Sequence, residues 1–214
     1  MTGPAGHGWI GTAGAACVAA MVPLAFAGAA LAVNVSGDGG SNVLIGTSGP
    51  DRLAGRAGND AIYGLAGRDR ILPGAGGDVS YGGRGRDRFF GSPGADTYLG
   101  GSGNDMVGFP GDKPVLGEAD LGSDRAFGAA GNDFLDTGFG ADVLVGGPGD
   151  DDFRPEQGAD TVFAGTGGDR VIMFGDRHRD VIHCGPGRDL VVYYGVTPGE
   201  EPDATYGCER VEAQ

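Results

Sequence analysis

Counted from Asp51, a carboxylate recurs every nine residues: Asp51, Asp60, Asp69, Asp78, Asp87, Asp96 and Asp105. After a break the series resumes at Asp124, Asp133, Asp142, Asp151, Asp160 and Asp169. A two-residue slip then leads to Asp180 and Asp189, and Asn42 extends the first series one step backward. Carboxylates and backbone carbonyls are hard oxygen donors, and a flexible shell of six or more such oxygens suits Ca²⁺. Magnesium is smaller and holds its water more tightly. Zinc would call for His or Cys, and His7, His178 and His183 stand outside the repeating turns.

A scaffold must bring these carboxylates together. Glycine stands two places before most of them, at Gly49, Gly58, Gly67, Gly76, Gly85, Gly94 and Gly103. Gly131, Gly140, Gly149, Gly158, Gly167 and Gly187 continue the column. Two places after the aspartates stand Leu53, Ile62, Ile71, Phe89, Tyr98 and Val107, then Leu135, Leu144, Phe153, Val162, Val171, Ile182 and Val191. Ser80 and Ala126 are the weak members of this set. Each unit therefore reads as a glycine turn closed by Asp, then a short strand whose middle side chain points inward. One unit cannot bury its single apolar side chain, but a stack of units buries a continuous column.

A turn plus a strand reverses the chain once, so two units make one coil and aspartates 18 apart stack. Their spacing is about 4.8 Å. The expected first column is Asp51, Asp69, Asp87, Asp105, Asp124, Asp142 and Asp160. The expected second is Asp60, Asp78, Asp96, Asp133, Asp151 and Asp169. Two carboxylates about 5 Å apart repel by roughly 3 kcal/mol at an effective dielectric near 20. Summed along the columns, that exceeds the roughly 5–15 kcal/mol of an ordinary domain. Cations between the steps would remove the repulsion. The expected ligands are the aspartates with the turn carbonyls, including those of Gly58, Gly67, Gly76, Gly85, Gly94, Gly103, Gly131, Gly140, Gly149, Gly158 and Gly167.

Units such as GGRGRDRFF (82–90) and GGSGNDMVG (100–108) resemble the RTX, or haemolysin-type, calcium-binding nonapeptide G-G-x-G-x-D-x-U-x. The resemblance implies an all-β fold: a parallel β-roll, or β-solenoid, with two repeats per coil and several Ca²⁺ held between neighbouring coils. The stretch PGDKPVLGEAD (110–120) puts Pro114 where an aspartate is expected and adds one residue. A bulge and at least one lost calcium site are expected there. RTX exoproteins usually carry a toxin, protease or lipase domain and a C-terminal export signal, and neither is evident. The tail, DVIHCGPGRDLVVYYG to YGCERVEAQ, resembles the disulfide-closed end of small secreted actinobacterial calcium-binding repeat proteins.

Composition sets outer bounds. Glycine makes up 47 of 214 residues, with no three-residue period, so collagen is excluded. Apolar residues run throughout, which argues against disorder. A net charge of −14 excludes a nucleic-acid backbone as partner. Residues 1–32 contain no Asp, Glu, Lys or Arg, and their apolar run ends in Ala30-Leu31-Ala32, an A-x-A cleavage pattern. The expectation is a signal peptide over 1–32, a secreted β-roll over 33–192 and a C-terminal cap over 193–214. The alternative for the leader is a membrane anchor, though Pro23 and the many Ala and Gly make it a weak spanning helix, so stable insertion is not expected. Cys17 lacks a leucine three places before it, which argues against a lipoprotein site. Cys184 and Cys208 form either a disulfide closing the last coil, as suits an exported chain, or two buried thiols.

Catalytic signatures are absent: there is no H-E-x-x-H, G-x-S-x-G or Walker loop, so no enzyme is expected. His178 and His183 near Asp176 and Asp180 are either an acid–base pair or solvated residues of an irregular last coil. Directly after the first column stand Arg52, Arg70, Arg88, Met106 and Arg125, and two places on stand Ala54, Leu72, Phe90, Gly108 and Phe127. Both rows are expected outward on one sheet. They form either a surface ladder that offsets nearby aspartates or a docking face for an anionic cell-surface polymer, a lipid headgroup or a second copy. The expected function is a secreted, calcium-folded structural or binding protein. The alternatives are a calcium-dependent adhesin or anionic-polymer-binding module, and an accessory domain or remnant of a secreted hydrolase.

Overall fold

A computed structural model describes residues 31–108, 122–195 and 203–213. Nearly all of the expected signal peptide, and the Pro114 segment, lie outside the described residues. Among the described residues every regular element is a strand, and no helix is long and apolar enough to cross a membrane. In chain order the strands are β1 (Asn34–Ser36), β2 (Val43–Ile45), β3 (Arg52–Ala57), β4 (Ala61–Gly67), β5 (Arg70–Ala75) and β6 (Val79–Gly85). Then come β7 (Arg88–Phe89), β8 (Thr97–Ser102), β9 (Met106–Val107), β10 (Arg125–Ala130), β11 (Phe134–Asp136), β12 (Val143–Pro148) and β13 (Asp152–Arg154). The last are β14 (Thr161–Thr166), β15 (Arg170–Phe174), β16 (Val181–His183), β17 (Leu190–Tyr194), β18 (Ala204–Tyr206) and β19 (Arg210–Ala213).

Each strand pairs in parallel with the strand two places along, so the odd strands form a ten-stranded sheet and the even strands a nine-stranded one. The molecule is a parallel β-solenoid of about nine turns. Strand alternation sends one side chain per unit inward. Leu53, Ile71, Phe89, Leu135 and Phe153 from the first sheet meet Ile62, Leu144, Val162 and Ile182 from the second, all fully buried. Ser80 and Ala126 keep their places in this column, also at 0% exposure, because the pairing register leaves them nowhere else to point.

The turns explain the glycines. Gly85 has φ 137°, and a β-carbon there would stand 1.5 Å from the Gly67 carbonyl oxygen of the coil below. Most turns also take positive φ four places before the aspartate, and at four of them the chain places Arg56, Leu65, Ala129 and Glu156 rather than glycine. Leu65 has φ 76° and a side chain 51% exposed, so it bears the strain with little packing in return. A left-handed residue other than glycine costs about 1–2 kcal/mol, and glycine's extra chain entropy offsets about 0.5–1 kcal/mol of that. Leu65→Gly is therefore expected to raise stability by about 0.5–1 kcal/mol, read as a higher Tm. A lower Tm would mean that the exposed leucine packs usefully.

Two expectations are corrected. The pairing jumps by 28 residues at the break, Asp96 to Asp124 and Asp105 to Asp133, so the Pro114 stretch is not a repeat unit with one extra residue. One unit reverses the chain once, so removing it from the count exchanges the two columns beyond it. The first edge of the roll carries Asp51, Asp69, Asp87, Asp105, Asp133, Asp151, Asp169 and Asp189. The second carries Asn42, Asp60, Asp78, Asp96, Asp124, Asp142, Asp160 and Asp180. For the same reason Arg125 and Phe127 leave the arginine row. They lie in β10, between Thr97 and Leu99 on one side and Val143 and Val145 on the other. Arg52, Arg70, Arg88 and Met106 stay in register, followed by Phe134, Asp152 and Arg170.

At the far end β18 and β19 add one strand to each sheet, on β16 and β17. Cys184 and Cys208 are bonded, with Cα atoms 5.1 Å apart.

Candidate metal centre

Each column aspartate is buried; from Asp51 to Asp189 none is more than 3% exposed. One carboxylate oxygen, Oδ1, accepts the backbone N–H of the aspartate one coil earlier. Asp69 accepts from Asp51, Asp87 from Asp69 and Asp105 from Asp87, each at 2.8 Å. The bond survives the break, with Asp133 accepting from Asp105 at 2.6 Å and Asp124 from Asp96 at 2.7 Å. The two series end on residues absent from the nine-residue pattern. Glu209 accepts from Asp189 at 2.8 Å and Asp203 from Asp180 at 3.0 Å.

The second oxygen has a different fate. In Asp60, Asp69, Asp78, Asp87, Asp105, Asp133, Asp142, Asp151, Asp160, Asp169 and Asp189, Oδ2 is buried with no hydrogen-bond partner. Buried polar atoms almost always find a partner, and a charged one left bare costs several kcal/mol. Asp51 and Asp96 are among those whose Oδ2 has a partner. Thr47 donates its N–H to Asp51 Oδ2 at 2.5 Å. Ser92 Oγ and Tyr98 OH donate to Asp96 Oδ2 at 2.9 and 3.0 Å, the phenol reaching out of the core.

The bare oxygens stand so close to the neighbouring backbone that only glycine fits beside them. A methyl on Gly64 would lie 2.5 Å from Asp69 Oδ2 and 2.6 Å from the Gly82 carbonyl oxygen. On Gly82 it would lie 2.5 Å from Asp87 Oδ2 and 2.8 Å from the Gly100 carbonyl oxygen, and on Gly100 2.6 and 2.7 Å from Asp105 Oδ2 and the Gly128 carbonyl oxygen. These glycines stand five places before their aspartate. Sequence reasoning had favoured the glycines two places before, whose left-handed backbone shapes the turn. The signal for the others was present as glycine recurring at Gly46, Gly64, Gly82 and Gly100.

Burial is the main cause that pushes the carboxyls of Asp69, Asp105 and Asp151 up to about 7. The N–H bond from the earlier coil works against it, and the carboxylates one coil above and below add to it. Burial also pushes Asp160 to about 8, and Asp78 and Asp142 to about 6. The columns are thus poised to take up positive charge. Among the described residues no three His, Cys, Asp or Glu side chains gather at one point. Any cation held here would be bound by single carboxylates and backbone carbonyls, an all-oxygen set that fits calcium.

Other candidates sit apart. His178 Nδ1 is 3.2 Å from Asp176 Oδ2 at an exposed turn. His183 lies instead in the second sheet, stacked between Phe163 and Tyr206. The two histidines do not converge with a shared carboxylate. Arg70 lies 4.8 Å over the Phe90 ring on the outer face of the first sheet.

The family model for the RTX calcium-binding nonapeptide repeat matches in four copies, at residues 36–71, 73–107, 118–153 and 156–191. No curated protein matches the chain.

Proposed function

The chain belongs to the RTX calcium-binding nonapeptide repeat family, and on that premise we propose that it is an exported protein folded by calcium, with a structural or binding role outside the cell. The repeats of this family bind calcium and serve as structural domains, and its members are typically extracellular. One observation carries the reading: buried carboxylate oxygens without partners stand beside glycines whose missing side chains leave them room. Bound calcium would supply positive charge between the coils. The chain's own part is to aim one oxygen of each column aspartate at the neighbouring N–H and, in eleven of them, to leave the other without a hydrogen-bond partner. A leader over 1–32, a roll from 33 and a terminal cap pinned by Cys184 and Cys208 complete the proposal. Calcium titration followed by far-UV circular dichroism tests it. β structure is expected to appear in the roughly 10⁻⁴–10⁻³ M range typical of extracellular modules. A spectrum indifferent to calcium would refute it.

A second reading, an anionic-polymer-binding module, is favoured by the arginines of the first coils. From Thr47 to Asn104 every carboxylate is a buried column aspartate. The same stretch carries Arg52, Arg56, Arg68, Arg70, Arg84, Arg86 and Arg88. Arg52, Arg70 and Arg88 stack in register, and among the described residues none of the three has an ion-pair partner. In-register like charges are unfavourable unless something neutralises them. Arg52, Arg70 and Arg88 changed together to Gln are expected to weaken binding to dextran sulfate at low salt by about tenfold or more, which is about 1.4 kcal/mol. The calcium midpoint should stay unchanged. Equal binding by variant and wild type would leave the row as a surface ladder.

A further inference from the structure

We infer that the outer face of the second sheet joins two copies of this chain, with their coils running in the same direction. The inference goes beyond the calcium reading and needs only that the roll is folded.

Strand alternation turns two residues of each even strand outward, and pairing in register lines them up as two rows. The first row, from Val43 to Ala204, is Val, Ala or Thr in every coil but one, where Arg125 stands. The second, from Ile45 to Tyr206, is aromatic or aliphatic throughout, counting the imidazole of His183. No residue of either row is buried, and none is acidic. The first sheet differs, because its outer face carries Arg52, Arg70, Asp152 and Arg170. A chain of net charge −14 thus keeps one whole sheet face apolar and free of carboxylates. A contiguous exposed apolar patch of this kind marks a contact surface.

The rings say what does not sit there. Tyr63 and Tyr81 lie 4.9 Å apart and 4° from parallel, Phe163 and His183 likewise, and His183 and Tyr206 lie 4.8 Å apart at 13°. They are piled on one another along the roll and turn their edges to solvent. A sugar ring stacks on aromatic faces, and these faces are already covered.

A partner must instead match a ridge that repeats at the coil spacing over nine strands. A second copy has that repeat by construction. It also has the right profile, a row of small side chains beside a row of large ones. A half-turn about an axis parallel to the roll sets the large row of each copy on the small row of the other, the self-complementarity that a two-fold interface requires. The same half-turn brings Arg125 against the partner's Phe127, a cation facing an aromatic ring. With the coils opposed in direction, large would meet large and Arg125 would meet Arg125. At about 4.8 Å per coil and about 3.3 Å per residue, the two rows cover roughly 40 Å by 13 Å, about 500 Å² in each copy. The pair would remove about 1,000 Å² from water, at the lower bound of specific interfaces.

Sedimentation velocity in saturating calcium tests this. The wild type is expected to run as a dimer at about 100 µM and to dissociate at low micromolar concentration, as suits an interface of that size. Phe127→Lys sets two cations against each other and is expected to weaken pairing by about a hundredfold. Phe127→Glu sets a carboxylate against the partner's Arg125 and should keep the dimer. Circular dichroism should give both variants the wild-type calcium midpoint. Arg52, Arg70 and Arg88 changed together to Gln, on the other sheet, should also leave the dimer intact. A dimer that survives Phe127→Lys, that is lost in both Phe127 variants, or that is lost in the triple arginine variant would overturn the inference. A wild type that stays monomeric at about 100 µM would overturn it whether or not the variants fold. That includes a monomer that floats with phosphatidylcholine vesicles, which would give the face to lipid.

Discussion

Stripped of calcium at pH 8, the chain is expected to lose its β-sheet signal, and acidifying the stripped chain to pH 4 is expected to restore part of it. The sign follows from the raised carboxyls. In the folded chain Asp69, Asp105 and Asp151 stand near 7, Asp169 near 6 and Asp160 near 8. In the unfolded chain an aspartate titrates near 3.9. Between these values the metal-free fold binds more protons than the unfolded chain, so it loses stability as pH rises. The contribution is fully present below about pH 4 and gone above the raised values. With calcium present the direction reverses, because protons compete for the same oxygens. The calcium midpoint should then rise as pH falls from 8 to 5. Circular dichroism across both series measures this. A β spectrum unchanged by EDTA at pH 8 would sink the idea, and so would a stripped chain that gains nothing from acid.

Gly85→Ala is expected to prevent the roll from forming at calcium concentrations that saturate the wild type. The new β-carbon would lie 1.5 Å from the Gly67 oxygen and 2.7 Å from its carbonyl carbon. Both are backbone atoms of the adjoining coil, so no side chain can swing aside. The residue would also have to hold φ 137°, a conformation closed to alanine. The expected loss is above about 4 kcal/mol, the range reserved for broken backbone geometry or a ruined core. Gly39→Ala is the control, because nothing lies within 4 Å of its added methyl. It should change stability by less than about 0.5 kcal/mol. Similar Tm values for the two variants would mean that the coils do not stack as closely as described.

The aspartate spacing made the solenoid legible, because a period of nine with one apolar residue per period has few ways to bury that residue. Even Ser80 and Ala126 could be placed, since register outranks side-chain preference in a ladder. Parity was not legible. Nothing in PGDKPVLGEAD says whether it counts as a unit, yet that choice decides the edge of every later aspartate and the sheet of Arg125 and Phe127. Glu209 and Asp203 were missed because they stand 20 and 23 residues from the groups whose N–H they accept. Glutamate also reaches one methylene further than the pattern allows for. Tyr98 read as an ordinary core residue, and its hydroxyl on Asp96 depends on a reach that no one-dimensional spacing records.

The bonds that the column carboxylates accept between coils run one way only. Each of them closes the N–H of the coil before it, from Asp51 on Val33 to Glu209 on Asp189. The stack therefore has unlike ends. Removing coils from the amino end takes away donors and leaves every remaining coil with its acceptor in place. Removing them from the carboxyl end exposes a coil whose acceptors have gone, and with them the cross-link between Cys184 and Cys208. A chain delivered amino end first, whether from a ribosome or through a membrane, thus offers its coils in the order opposite to the one in which they are completed. Its first coil waits on its second, and the last is finished only by the tail.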